Sequence, residues 1–574
     1  MSDPVVLLAE RFRSALVAAF GEEHASVDPA IRPSVHADFQ ANAALGLAKT
    51  LKKSPRDVAA AIVAKLDASE LIESTEIAGP GFINIRLTPA FLSAELSRVA
   101  SSETGGLVPA SPVERVVIDY SSPNVAKEMH VGHLRSTVIG DALARVLEAL
   151  GHTVLRQNHL GDWGTPFGML IEHLLDGGAD VDAHSIRDLN AFYQAARAKF
   201  DAEPAFAERA RHRVVLLQGG DEATLALWRK LVDASRHHFN ALYRLLGVTL
   251  TDADIAGESL FNPWLADVVS ELESKGQCVE NEGAKCVFVP GYTGRDDKPL
   301  PLIAQKQDGG YGYATTDLAA IRYRLKNLGA TRILYVVGAP QTQHLAMIRD
   351  AAKQAGWLAA PARAEHVAFG SVLGADGKVL RTRAGDNVRL VELLEEGIER
   401  AHAIVAEKSP ELAPEEQAEI ARAVGIGAIK YADLSSDRVK DYVFDWARML
   451  AFDGNTAPYL QYAHARIRSI LRKAGEVANP AAIVIAAPQE RALALAVLAF
   501  PTALADVASS LAPHRLCGYL YDLATTFSAF YENCPVLKAG SPEERRSRLA
   551  LSAVTATVLA KGLSLLGIDS PQKM

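Results

Sequence analysis

Cysteine is scarce in this chain of 574 residues, and the four present (Cys278, Cys286, Cys517, Cys534) form no Cys-x-x-Cys pair. Neither a disulfide framework nor a zinc site is expected; reduced thiols in a cytoplasmic protein are the simpler account. An excess of positive charge is missing as well, the formal net charge being −8. The chain as a whole has no attraction for nucleic acid, so RNA binding must come from local, salt-sensitive basic patches. Long apolar runs are lacking too. The run 5–9 is broken by Glu10 and Arg11, so no signal peptide is expected. The stretch 492–505 contains Pro501 and is too short for a bilayer, so it reads as one buried helix and no membrane partner is expected. There are no internal repeats or low-complexity tracts. What remains, 49% hydrophobic and 22% charged residues, describes a soluble globular protein whose length calls for three or four domains.

One stretch stands out, from Asp119 to His133. The β-branched run Arg115-Val116-Val117-Ile118 before it reads as a buried strand. After it, Leu134, Val138, Ile139, Leu143, Val146, Leu147 and Leu150 recur at helical spacing until Gly151, and Thr153-Val154-Leu155-Arg156 reads as a second strand. This is a βαβ unit, whose first loop lies where open α/β sheets bind ligands. The loop carries His130-Val131-Gly132-His133 at the mouth of the helix. Gly132 lets a nucleotide approach the backbone, and free N–H groups at the helix start suit a phosphate. The flanking imidazoles can donate hydrogen bonds to a phosphoryl group.

The loop resembles the "HIGH" element of class I aminoacyl-tRNA synthetases, and Ser121-Ser122-Pro123-Asn124-x-Ala126-Lys127-x-x-His130-x-Gly132-His133 is similar to its arginyl form. The likeness extends through Leu134-Arg135-Ser136-Thr137 and 159–168 and covers nearly the whole chain. It implies an α/β multidomain protein: a Rossmann-like parallel-sheet catalytic core with a helical connective insertion, an N-terminal α+β appended domain and a C-terminal all-α anticodon-binding domain. The expected boundaries are 1–108 for the appended domain, 109–390 for the catalytic domain (insertion about 180–299), 391–454 for a helical junction and 455–574 for the anticodon-binding domain.

In chain order, Leu8, Phe12, Leu16 and Ala19 predict one helix, 59–66 a second, and Phe82-Ile83-Asn84-Ile85-Arg86-Leu87 a strand of alternating pattern. The block His36-Ala37-Asp38-Phe39-Gln40-Ala41-Asn42 resembles the family's appended domain, which contacts the tRNA elbow; Lys49, Lys52, Lys53 and Arg56 could serve there. The insertion reads as long, charged helices. The parallel sheet is expected to resume at Pro301, followed by a helix opening near Tyr313 and Asp317, then a strand from Arg332 leading to Gln341. The glycine-rich, basic loop 369–385 resembles the "KMSKS" clamp by position, although Val379 and Thr382 stand where its lysines would be. From Val391 onward the chain reads as helical to its end. Near that end Tyr462 and Arg466, four apart, can stack and pair with splayed bases.

The resemblance implies two steps: L-arginine and ATP give arginyl-adenylate and pyrophosphate, then arginine passes to the 2′-hydroxyl of the terminal adenosine of tRNA(Arg). The attacking carboxylate is already ionised at neutral pH, so no general-base constellation is required. His130, His133 and Lys127 are the expected catalytic residues. ATP is expected on His130, Gly132, His133, Gly161, Asp162, Lys378, Arg381 and Arg383, with Mg2+ carried by its phosphates and no metal ligands in the protein. Among the cations, Lys127 is favoured to neutralise the departing pyrophosphate. Carried over residue by residue, Asp317 is the guanidinium-binding acid, Tyr313 its aromatic neighbour and Gln341 a polar partner, while Asp119, Ser122 and Asn124 match contacts to the amino acid. The family is mostly monomeric, and a cytoplasmic monomer with no DNA partner is expected. A nucleotidyltransferase also built on His-x-Gly-His would be far shorter, and an inactive RNA-binding paralogue would be expected to have lost its histidines.

Overall fold

Val116, Val117 and Ile118 are fully buried, and the strand they form (β1, Arg115–Asp119) is central in a parallel sheet. The structure is a computed structural model that describes residues 4–67, 70–102, 104–107, 109–177, 189–294, 297–381, 388–475 and 478–574. After β1 come α1 (Val131–Ala149), β2 (Thr153–Gln157), α2 (Tyr313–Lys326), β3 (Arg332–Tyr335), α3 (Thr342–Gln354) and β4 (Arg363–His366). The sheet order is β4-β3-β1-β2, every pair parallel. The chain leaves β1 toward β2 on one side and later returns to place β3 on the other. Loops following β1 and β3 therefore diverge and leave a crevice at the strands' carboxyl ends, the place where such sheets take ligands.

Two compact units divide the chain, 109–450 with 566–568, and 1–108 with 451–565 and 569–574. In the first unit the parallel sheet does not resume at Pro301. Pro299–Gln305 is instead the edge of a separate antiparallel sheet with Cys278–Asn281 and Ala284–Thr293. Pro299 and Pro301 lack the N–H that a central strand must donate, and an edge position tolerates that. The insertion is thus not wholly helical: helices Leu189–Ala202, Pro204–Gln218 and Glu222–Leu246 are followed by this β-element. The closing half is not wholly helical either, since Tyr442–Val443 pairs in parallel with Val372–Leu373.

In the second unit, Phe82–Leu87 is the inner strand of an antiparallel sheet, flanked by Phe39–Ala41 and Ile72–Ala78. The helix expected at 59–66 runs Pro55–Val63, after a helix Ala43–Leu51 that was not foreseen; it starts early because the Ser54 hydroxyl accepts the Asp57 N–H as a cap and Pro55 fits the first turn. The stretch 492–505 is two helices, Pro488–Leu498 and Phe500–Ser510, with Pro501 in the first turn of the latter. Taken together these two, and separately Pro542–Leu565, are long and apolar enough to cross a membrane. Pro542–Leu565 is mostly buried, and its Arg548 pairs with Glu490 at 2.8 Å.

The opening module and the closing helices share this unit. Arg491 donates to both oxygens of Asp38, at 2.8 and 2.5 Å, and Asp38 also accepts the Leu87 N–H at 2.7 Å. Both side chains are buried. Removing one partner leaves a buried charge alone, so Asp38→Ala is expected to lower the unit's stability by about 3–5 kcal/mol in urea unfolding. The exposed pair Arg86–Glu73 is the control, and Arg86→Ala should cost less than about 1 kcal/mol.

Candidate active site at the ends of two neighbouring strands

The loop leaving β1 takes a costly path. Ser121, Ser122 and Ala126 all have positive φ, at 71°, 48° and 60°. Such residues persist only where the surroundings over-determine them. The Ser121 N–H donates to Ser136 Oγ, the Ser122 N–H to Asn158 Oδ1 and the Ala126 N–H to Ser235 Oγ. The Tyr243 hydroxyl lies 2.7 Å from Ser121 Oγ and accepts from Asn158 Nδ2 at 3.0 Å. Ser235 and Tyr243 belong to the insertion helix Glu222–Leu246, which therefore shapes the loop.

At the mouth of α1 the opening N–H groups are not free for a phosphate. Gly132 donates to His130 Nδ1 at 3.0 Å, His130 donates to His133 Nδ1 at 3.1 Å, and Val131 donates to the Val388 carbonyl. A Cβ on Gly132 would meet the His130 ring at 2.7 Å, so the glycine is needed for the imidazole to fold back. With each Nδ1 accepting, each neutral ring carries its proton on Nε2 and presents a donor there. The rings lie 4.1 Å apart, centroid to centroid. Burial, with Lys127 nearby, lowers the His130 pKa; burial and the neighbouring His130 hold His133 at about 3. Both are neutral donors at physiological pH.

The imidazole side opens on a cavity of about 190 Å³ lined by His130, Gly132, Arg135, Gly338, Pro340, Phe369, Val372, Val379 and Leu380. Its far wall is the strand before the clamp loop, zipped to 438–444: Gly370 donates to the Arg438 carbonyl, Tyr442 to Ser371 and Phe444 to Leu373. Buried Arg135 ties this wall to α1, pairing with Asp433 at 3.2 Å, donating to the Lys440 carbonyl at 2.9 Å and lying over the Tyr442 ring. The clamp loop begins as a tight hairpin in which Gly374 donates to Lys378 and Leu380 to Val372. Lys378 and Arg381 are exposed on it. Arg383 and Thr382 lie outside the described residues. Beyond it, Leu390 donates to Met129 and Arg389 pairs with Glu128 at 2.8 Å, anchoring the loop's far end on the imidazole loop. The Lys127 ammonium lies 4.3 Å from the centre of the Tyr193 ring.

A larger cavity, about 990 Å³, lies across the segment that follows β3 and is lined by Trp163, Glu258, Asn262, Lys306, Tyr313, Thr316, Gln343, His344 and Met347 among others. Asp317, one turn along α2 from Tyr313, accepts from His344 at 2.6 Å. Gln341 is exposed at the end of a short 3-10 turn, and the glutamine lining the cavity is Gln343. Sequence reasoning missed Glu258. Its pKa is pushed up to about 7, first by burial and then by Asp162 and Asp317. The signal available was its acidic place in Gly257-Glu258-Ser259 at a helix start, which reads as an ordinary dipole partner.

Other expected residues are engaged by partners within the fold. Asp162, expected on ATP, is buried with its oxygens accepting the Ser259 N–H and hydroxyl at 2.9 and 2.6 Å, so it caps the helix that carries Glu258. Gly161 packs against Asn124, whose side chain a Cβ there would strike. Asp119 is buried and accepts from Arg324 at 2.7 Å and from Ser122 at 2.9 Å. In the other unit, the Tyr462 ring is exposed beside Phe452, while Arg466 lies over Tyr531 instead.

Family models place this geometry. Residues 97–446 match the model described as "tRNA synthetases class I (R), catalytic domain", which makes the protein a class I tRNA synthetase. Residues 7–87 match "Arginyl tRNA synthetase N terminal domain" and 460–574 match "DALR anticodon binding domain". Along its whole length the chain is 58% identical to the arginine–tRNA ligase of Thermobifida fusca, covering all of both. Among solved structures it is similar to the arginyl-tRNA synthetases of Plasmodium falciparum (TM-score 0.86, 30% identity, all of both chains) and Thermus thermophilus (0.83, 28%, 99% of each). The chain belongs to the arginyl-tRNA synthetase family.

The tied His133 ring has a consequence for acid stability. Folded, it stays neutral down to about pH 3; in the unfolded chain it takes a proton below 6.5. Between those values the unfolded state binds more protons, so this contribution is complete above pH 6.5 and is lost as pH falls toward 3. His133→Gln should flatten that part of the stability profile. In NMR spectra the wild-type His133 ring should give no titration step near 6.5.

Proposed function

We infer that the chain is an arginine–tRNA ligase that makes arginyl-adenylate from L-arginine and ATP and then charges tRNA(Arg). One observation supports the site assignment: the segment after β3 walls two cavities, its Gly338 and Pro340 sharing one with His130 and its Gln343 and His344 sharing the other with Tyr313 and Glu258. ATP fits the smaller cavity, its base between Gly132 and the Phe369–Val372 strand. Arginine fits the larger one, its guanidinium toward Asp317 and Glu258, with Tyr313 beside it. The first loop, through Ser122 and Asn124, is left to meet the amino and carboxylate groups.

As the arginine carboxylate attacks the α-phosphorus in line, negative charge builds on the phosphoryl oxygens. His130 and His133 meet it with Nε2–H donors whose orientation is already set, and this pre-organisation is what lowers the barrier. Lys127 is favoured to receive the pyrophosphate, leaving the Tyr193 ring to do so, with Lys378, Arg381 and Arg383 on the clamp loop as its partners. Among the described residues no group of three His, Cys, Asp or Glu side chains could hold a metal ion. Mg2+ is assigned to the ATP phosphates in this scheme, because it prefers phosphate and water oxygens. The exposed Tyr462 ring and Arg466 are assigned to tRNA, and the protein to the cytoplasm as a monomer.

ATP–pyrophosphate exchange with arginine, run with and without tRNA, tests this reading. Exchange is expected only when tRNA is present, and His133→Ala should lower it about 100–1,000-fold. Arginine-independent exchange would refute the function, and full activity of His133→Ala would refute the site. A second outcome concerns Glu258. Only its ionised form attracts a guanidinium, so KM for arginine should fall as pH rises through about 7. Glu258→Gln should abolish that dependence.

A further inference from the structure

Asp317, the acid assigned above to the guanidinium, already has a partner within the fold. His344 Nε2 lies 2.6 Å from Asp317 Oδ2, and the two side chains are 18% and 24% exposed. His344 is in the first turn of α3 and Asp317 in the second turn of α2, so the contact joins helices that flank β3. The other side of the imidazole meets the Tyr313 ring nearly edge-on, with centroids 5.1 Å apart. His344 and Tyr313 line the same cavity as Glu258. The two-step chemistry leaves His344 with no part in bond making.

We propose that His344 is a positioning residue for arginine: its Nε2–H holds Asp317 Oδ2 and turns Oδ1 toward the cavity. This rests on the reading of Asp317 as the guanidinium acid. A carboxylate on a short side chain can rotate, and a ligand that must first order it loses affinity. The imidazole, in edge contact with the exposed Tyr313 ring, supplies that order in advance. It also sets specificity. With Oδ2 engaged, Oδ1 of Asp317 and the carboxylate of Glu258 are two separate acceptors. A planar fork has separate N–H donors to offer two acceptors; the single ammonium of lysine satisfies the charge but not the geometry.

The test is steady-state ATP–pyrophosphate exchange by the full chain with tRNA present, varying arginine and ATP separately and offering lysine as competitor. His344→Phe keeps a ring against Tyr313 and removes the donor; His344→Gln restores an N–H donor at a similar reach. For His344→Phe, KM for arginine should rise about tenfold, with kcat and KM for ATP within about twofold, and discrimination against lysine should narrow. His344→Gln should recover most of the arginine affinity. Unchanged arginine KM in His344→Phe overturns the proposal, as does an equal loss in both variants accompanied by a lowered melting temperature, which would mark simple packing. Asp317→Asn separates the two readings. If it leaves arginine KM unchanged, the assignment of Asp317 itself fails; if it raises KM while His344→Phe does not, only the role of His344 fails.

Discussion

The catalytic unit depends on where four backbone N–H groups go. In the first turn of α1, the donors of His130 and Gly132 are given to ring nitrogens, that of Val131 to the carbonyl of Val388 and that of His133 to the His130 carbonyl. A helix start usually offers these groups to solvent or an anion. Here they fix the tautomers of His130 and His133, and the positive end of the helix is handed on through two Nε2–H donors that project farther than any backbone group could. Burial keeps both rings uncharged, so their strength lies in fixed direction rather than net charge.

Fixing that direction requires a support larger than the loop itself. The loop's three left-handed residues are held by polar contacts from α1, from Asn158 after β2 and from the insertion helix Glu222–Leu246. Arg135, one turn into α1, joins the opposite wall through Asp433 and Lys440, and the 388–390 segment closes the circuit from the clamp loop back to Met129. Buried polar connections of this kind stabilise little in net terms, because desolvation offsets most of their attraction. They are directional, and direction is what an in-line displacement needs. The segment 370–373 is thus fixed on 438–444 and the segment 388–390 on the imidazole loop, two walls of the smaller cavity.

Much of the plan was legible from residue order. Hydrophobic periodicity marked β1, α1 and β2 to within a few residues, since a buried strand and a buried helix each impose their own repeat. It failed at Pro299–Gln305, where an apolar run looked like a core strand although its prolines suit an edge. It also merged Pro488–Leu498 and Phe500–Ser510, because composition alone does not show that the chain turns at Ala499. Among candidate site residues, those whose chemistry is local could be proposed from the sequence, His130 and His133 above all. Asp119 and Asp162 have partners that were not legible in the sequence. Their carboxylates are taken by Arg324 and Ser259, partners distant in sequence, which no local pattern reveals.

By itself, the order of residues determined the elements, the βαβ unit and the pair of imidazoles beside a glycine, because turns, helices and their caps are settled within a few neighbouring residues. Only the tertiary structure decided which carboxylates face a cavity and which are spent inside the fold. Glu258 is raised toward neutrality by burial and by Asp162 and Asp317, far along the chain, and Asp317 is met by His344 from the next helix. Charge and hydrogen bonding act through space, so the reach and protonation of an acid belong to whatever the fold brings within a few ångströms of it.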